Sequence, residues 1–320
     1  MGYRQILSNN KWGGVMRAKR LEVGDTIGMI APASPADLSK VERAIKHLKV
    51  MGYKVKAGKS VYSSRGYLAG RDELRAFDIN NMFADDEVSA VFCLRGGYGS
   101  QRILDMVDFQ IIRNNPKIFM GYSDITALLN AIYQKCNLIT FHGPMGGDFA
   151  GGLEKYTKRA MKNALESIDP IGELPNPEMP EVVAEGKGKG ALVGGNLSIV
   201  AASLGTPYEI DTQGKILLLE DVFEEPYSVD RMLTQLRLAG KLRDAEGIVL
   251  GDWGNSEPEE PEKSLSLEEV FEDIFREIGK PVLKGLKIGH CKPNITVPIG
   301  AEVYVNTDTA TFCILEPGVR

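Results

Sequence analysis

The sequence predicts an α/β protein, with an N-terminal parallel sheet covered on both faces followed by a β-structured C-terminal part. Three observations carry this. Short apolar runs alternate with amphipathic segments from Asp25 to Phe141. A stretch rich in proline and glycine interrupts the chain near residue 175. Beyond it, apolar runs bounded by turn residues continue to Leu315.

Taken in order, Thr26 to Ala31 (TIGMIA) is a first strand ended by Pro32. Ser34-Pro35 then reads as a helix N-cap with proline at the first helical position. Leu38, Val41, Ala44, Ile45 and Leu48 recur at helical spacing until Gly52 stops the helix. Tyr53 to Val55 opens a second strand, Asp72 to Phe83 a helix, and Val88 to Leu94 a third strand. The pattern repeats with Lys117 to Met120, a helix through Ala131, and Leu138 to Phe141. Apolar strands of this length between amphipathic helices are what a parallel sheet buried on both faces requires.

From Ile168 to Gly190, four prolines and a GKGKG run read as a linker or surface connection. Past it come the strand Ile216 to Leu219, a helix from Pro226 to Ala239 closed by Gly240, and the strand Gly247 to Leu250. An acidic loop (SEPEEPEKS) and a final β-region with a turn at Asn306 to Asp308 complete the chain. The expected division is a domain over 16–170, a linker over 171–189 and a domain over 190–320.

The bulk properties exclude several classes. At 320 residues the chain exceeds the usual single-domain size. A charged content of 25% and a net charge of -5 give no support to a nucleic-acid partner. Cys93, Cys136, Cys291 and Cys313 are scattered without CxxC or compact Cys/His spacing, so neither a metal nor a cofactor is expected. Cys93 and Cys313, inside apolar runs, read as buried thiols. The first 20 residues carry five basic side chains but no signal-peptide apolar core. No run reaches the ~18 apolar residues of a membrane helix. The expectation is a cytoplasmic protein with no membrane partner.

The segment Pro116 to Thr126 (PKIFMGYSDIT) is the richest in chemistry. An apolar strand runs into Gly121, and Ser123 precedes a helix, the context of a nucleophile elbow. The usual glycine after the serine is missing, and Ser123 or Asp124 could equally be a plain helix N-cap. The Asp124 N–H lies where it could polarise a carbonyl. A base must come from three histidines. His47 sits on a charged helix face, while His142 and His290 each follow an apolar run and precede a polar turn, and the residues alone do not separate those two. Glu220, directly after the apolar run ILLL, is the carboxylate that could orient an imidazole, with Asp221 pointing the other way if the strand continues. The loop Arg95-Gly-Gly-Tyr-Gly99 lets backbone N–H groups approach a ligand, but it lacks the spacing of a nucleotide-binding loop.

Several segments together resemble the LD-carboxypeptidases, the muramoyl-tetrapeptide carboxypeptidase family that also contains the microcin-immunity peptidases. They are GDTIGMIAPAS (24–34), YLAGRDELR (67–75), LRGGYGSQRILD (94–105), PKIFMGYSDITALL (116–129), FHGPM (141–145), GALVGGNLS (190–198), LLLEDVFEEPYSVDRML (217–233) and GHCKPNITVPIG (289–300). Residues 1–15 lie outside the resemblance and read as a leader without catalytic importance. What the resemblance implies is a metal-free serine carboxypeptidase. Its fold would be an N-terminal Rossmann-like domain and a smaller β-rich C-terminal domain. The family's nucleophile falls on Ser123, its acid on Glu220 and its histidine on His290; His142 would line the site. The implied oxyanion hole is the Asp124 N–H with a backbone N–H of the RGGYG loop, at Gly97. Ser34, at the expected helix start, and Arg95 are candidates for binding the substrate carboxylate. The RGGYG spelling resembles the murein-recycling branch, which implies release of terminal D-Ala from a murein tetrapeptide by a homodimer. The alternatives are cleavage of a peptidyl-nucleotide or another modified peptide, or a silent binding module. One departure is Cys291, where the family pattern has a small residue such as glycine.

Overall fold

The run after Asp25 becomes strand β1 (Thr26–Ile30), whose last four residues are all buried, so both of its faces are covered. A computed structural model of the chain describes residues 14–320, and the proposed leader falls outside them except for Gly14 and Val15. β1 lies among β2 (Lys54–Ala57), β3 (Val88–Cys93), β4 (Ile118–Gly121) and β5 (Thr140–His142) in the order β5-β4-β3-β1-β2, every pair parallel. The helix Asp72–Ala84 forms where its spacing predicts. The helix after β4 runs Thr126–Cys136, past Ala131, and ends at Asn137 with φ 55.

The signal at Ser34 does not start a helix. The helix is Leu38–Val50, with Asp37 at its N-cap. Ser34 instead joins two loops: its hydroxyl donates to the Tyr67 carbonyl at 2.7 Å and accepts from the Tyr98 N–H at 3.1 Å. Those tertiary partners take the groups that capping would have used.

The chain continues through β6 (Gly172–Glu173), β7 (Glu181–Ala184), β8 (Lys187–Asn196), β9 (Ile216–Val222), β10 (Gly247–Gly254), β11 (Val282–Lys284), β12 (Val297–Ile299), β13 (Glu302–Asn306) and β14 (Thr311–Ile314). All but β12 form a mixed eight-stranded sheet, ordered β6-β14-β13-β8-β9-β10-β11-β7. β12 returns to the first sheet as its sixth strand, antiparallel to β5, with Val297 opposite His142.

The stretch expected to be a linker carries strands: β6 and β7 lie within it, and β8 begins in it. The GKGKG run opens β8 with period-two alternation: Lys187 and Lys189 face outward and pair with Asp308 and Glu302 at 2.6 and 3.0 Å. The glycines face a close neighbour, since a Cβ on Gly190 would lie 3.0 Å from the Lys215 Cα. Composition suggests a flexible connection here, but the alternation decides the outcome. A second apolar cluster joins Leu217, Leu219, Ile248 and Leu250 to the helices Pro226–Leu238 and Leu267–Phe275. Cys93 and Cys313 are buried free thiols. Among the described residues, no helix is long and apolar enough to cross a membrane.

Candidate active site

β4 ends at Gly121, and the chain turns through Tyr122 into a single 3-10 turn (Ser123–Ile125) before the helix Thr126–Cys136. Ser123 has φ 62, a left-handed backbone that a residue with a Cβ adopts only under strain. Neither Ser123 nor Asp124 caps the following helix with its side chain. The geometry is that of an elbow, not of a cap.

The RGGYG loop lies directly over this turn. A Cβ on Gly96 would stand 2.8 Å from Ser123 Oγ and 3.2 Å from the Asp124 N. Gly97 is exposed and left-handed, with φ 100. The buried Asp124 carboxylate pins the loop: it accepts from the Ser100 N–H at 2.8 Å and the Gly99 N–H at 3.3 Å, while Ser100 Oγ donates to the Asp124 carbonyl at 2.5 Å. Burial pushes the Asp124 carboxyl above its ordinary value, and the amide donors oppose that rise.

Glu220 lies in β9 opposite Asn196 of β8 and has no exposed surface. Its Oε2 is 2.7 Å from His290 Nδ1. Gly289, at φ 110, makes room for this pair, because a Cβ there would lie 2.7 Å from Glu220 Cδ. Burial by itself would raise the Glu220 pKa, but the imidazoles of His142 and His290 outweigh it and hold the carboxyl well below the ordinary range. Burial pulls His290 down, and the Glu220 carboxylate more than offsets this, so the imidazole pKa is raised. Asp221 points the other way, as strand alternation requires; it accepts from Asn196 Nδ2 at 2.8 Å and from Ser198 Oγ at 2.6 Å.

Tyr122 links the elbow to the histidines. Its ring stands edge-on to His290 at 4.9 Å between centroids and 6.0 Å from His142. The fold thus brings the Ser123 turn, Glu220 and His290 to one place. Among the described residues, no hydrogen bond joins Ser123 Oγ to His290; such nucleophile–base bonds commonly tighten only when substrate is bound.

The remaining sequence candidates divide by exposure. Arg95 is exposed, with Nη1 donating to the Pro35 carbonyl at 3.1 Å. Ser34 is 8% exposed, and its hydroxyl is engaged on backbone as described. His142 has no exposed surface; it sits behind Glu220, with Nε2 3.7 Å from Oε1. His47 is half-buried, on the helix Leu38–Val50. Cys291 is tied down by its Sγ donating to the Pro293 carbonyl at 3.1 Å, and burial pushes its thiol up to about 12.

Sequence reasoning misses Arg75. It is fully buried, bonded to the Pro32 and Gly99 carbonyls and paired with Asp72, so it braces both loops that flank the elbow. A signal was present: Arg75, Ile79 and Met82 share the buried helical face at spacings of four and three.

Comparison with known proteins identifies the family. Residues 27–143 match the LD-carboxypeptidase N-terminal domain, and residues 189–305 match the LD-carboxypeptidase C-terminal domain. The chain is 49% identical over 313 residues to the "Probable murein peptide carboxypeptidase" of Bacillus subtilis, covering 95% of each chain. It is 33% identical to the "Murein tetrapeptide carboxypeptidase" of Pseudomonas aeruginosa, covering 86% of this chain and 91% of that one. Among solved structures, muramoyltetrapeptide carboxypeptidase from Oxalobacter formigenes superposes with a TM-score of 0.80 at 30% identity, covering 90% of this chain and 97% of that one. The microcin C7 self immunity protein MccF, in complex with aspartyl sulfamoyl adenosine, superposes at 0.89 with 26% identity, covering 95% and 100%. The two family matches, in chain order around a buried Glu–His pair and a strained serine, make this chain a member of the LD-carboxypeptidase family of serine peptidases.

Proposed function

We propose that the chain hydrolyses the LD-peptide bond that releases terminal D-Ala from murein tetrapeptides, with Ser123, His290 and Glu220 as its triad. The observation that carries the reading is the 2.7 Å bond from Glu220 to His290 beside a serine held at φ 62. The 49% identity to a murein peptide carboxypeptidase supports the substrate class.

His290 takes the Ser123 proton as Oγ adds to the scissile carbonyl, and Glu220 stabilises the imidazolium that forms. The oxyanion accepts from the N–H groups of Asp124 and Gly97, where one such donor contributes roughly 3–4 kcal/mol in comparable enzymes. The imidazolium then protonates the departing amine of D-Ala as the C–N bond breaks. Water, deprotonated by His290, cleaves the resulting ester and restores the serine. Arg95, the exposed cation that opens the RGGYG loop, is the group assigned to the terminal carboxylate of the substrate. Cytoplasmic residence and a homodimer complete the reading, and sedimentation checks the latter.

The test is D-Ala release from a murein tetrapeptide by wild type and by Ser123→Ala. Release by wild type and loss of at least about 10³-fold in the variant is expected. A fully active variant overturns the triad; an inactive wild type that cleaves an aminoacyl sulfamoyl nucleotide instead moves the substrate to the immunity branch.

A further inference from the structure

Two imidazoles face the two oxygens of Glu220. Oε2 meets His290, whereas Oε1 has no hydrogen-bond partner among the described residues and has His142 Nε2 at 3.7 Å. Both His142 nitrogens are likewise buried without a partner, and the residue has no exposed surface. A buried carboxylate oxygen and a buried imidazole each carry a desolvation cost that a mutual hydrogen bond relieves.

The approach is fixed by backbone on both sides. His142 is in register with Gly121 of β4 and Val297 of β12, and Glu220 with Asn196 of β8. Gly195 closes the other flank, since a Cβ there would lie 3.2 Å from His142 Cδ2. The ring is therefore held among sheet residues and cannot reach a ligand in the cleft.

We propose that His142 is a positioning residue acting through Glu220: its Nε2–H is aimed at Oε1 and keeps the carboxylate turned so that Oε2 stays on His290 Nδ1. The inference rests on the triad reading above and moves His142 from substrate lining to support of the acid. It requires a proton on His142 Nε2, because a bare Nε2 accepts and cannot donate toward Oε1. Other groups facing the Glu220–His290 pair are Asp221, Asp148, Asp252, Tyr122 and Cys291. Asp221 is engaged by Asn196 and Ser198, and burial raises Tyr122 and Cys291 so far that neither ionises near neutrality. Asp148 and Asp252 act by charge alone, in wild type and variants alike.

Nitrogen-15 NMR of labelled histidine rings tests this directly, with the three histidines assigned by single His→Gln variants. In wild type, His142 should carry a proton on Nε2, and His290 should show a far-downfield Nδ1 proton. In His142→Phe that proton should weaken, and His290 should titrate at lower pH as its bond to Glu220 loosens. His142→Gln, whose amide N–H can still reach Oε1, should keep both signals. Labelling of Ser123 by a fluorophosphonate gives a readout independent of the natural substrate, expected to be at least about ten-fold slower in His142→Phe than in His142→Gln. An Nδ1–H tautomer at His142, or a His290 titration unmoved in His142→Phe, overturns the proposal. The tautomer is read in wild type, so the test stands even if His142→Phe does not fold. A Ser123 that never labels overturns the triad and this inference together. A wild type that labels and shows the expected signals but releases no D-Ala overturns the murein reading and supports this one.

Discussion

The Tyr122 ring stands edge-on to the His290 imidazole, 4.9 Å between centroids. Tyr122 belongs to the turn after β4 and His290 to the segment between β11 and β12, so this contact joins the two family-matched halves of the chain. On the far side of the imidazole, Nδ1 is bonded to Glu220 from β9. His290 is thus held by Glu220 of β9 and by Tyr122 of the turn after β4.

Glu220→Gln keeps the size of the side chain but removes its charge and offers an amide to His290. The imidazolium loses its counter-charge, and the wrong tautomer becomes available. A fall in kcat of about 10²–10⁴-fold with little change in KM is expected. Steady-state D-Ala release checks it, and a fall below ten-fold refutes it.

The pH dependence has a definite sign. His290 has a raised pKa and acts as base when neutral, so kcat/KM should fall on the acid side with a midpoint above about 6.5. For stability, the raised His290 pKa contributes fully below about 6.5 and is lost as pH rises through its folded value. The depressed Glu220 pKa contributes above about 4.3 and is lost as pH falls through its lower folded value. The Tm difference between wild type and Glu220→Gln should therefore peak between about pH 4.3 and 6.5, below the optimum for activity.

Gly289→Ala places a Cβ against the Glu220 carboxylate at a backbone of φ 110. The carboxylate must shift away from His290. A loss of activity of about 10²-fold with a stability cost of about 1–3 kcal/mol is expected. Kinetics and denaturant unfolding check both, and an unchanged kcat would show that the pair tolerates displacement.

Asp124→Asn weakens the acceptor of the Gly99 and Ser100 N–H groups. A buried donor left unmatched costs about 1–3 kcal/mol, so the Tm should fall. The RGGYG loop loses its anchor at the same time, and kcat should fall more than KM rises because the oxyanion donors move. Hydrogen exchange of the loop amides provides the independent measure.

The sequence by itself determines the parallel strands of the first sheet and marks a turn at Ser123 without deciding between elbow and cap. The apolar runs at Thr26, Val88 and Ile118, and the glycine turn before Ser123, are local patterns whose information lies within a few residues. The same alternation is present in GKGKG, but glycine composition masks it until Lys187 and Lys189 are seen paired across to Asp308 and Glu302. Local residues leave His142 and His290 equal, and within the sequence only the family resemblance favours His290. Both follow apolar runs and precede turns, and only the sheets place one in front of Glu220, half-buried with Nδ1 on Oε2, and the other wholly enclosed behind Oε1. Ser34 shows the same division: its N-cap signal is real, but two loops distant in sequence claim the hydroxyl. Local propensity acts over one turn of chain, whereas desolvation and hydrogen-bond matching depend on which strands become neighbours. That pairing is decided by the tertiary structure.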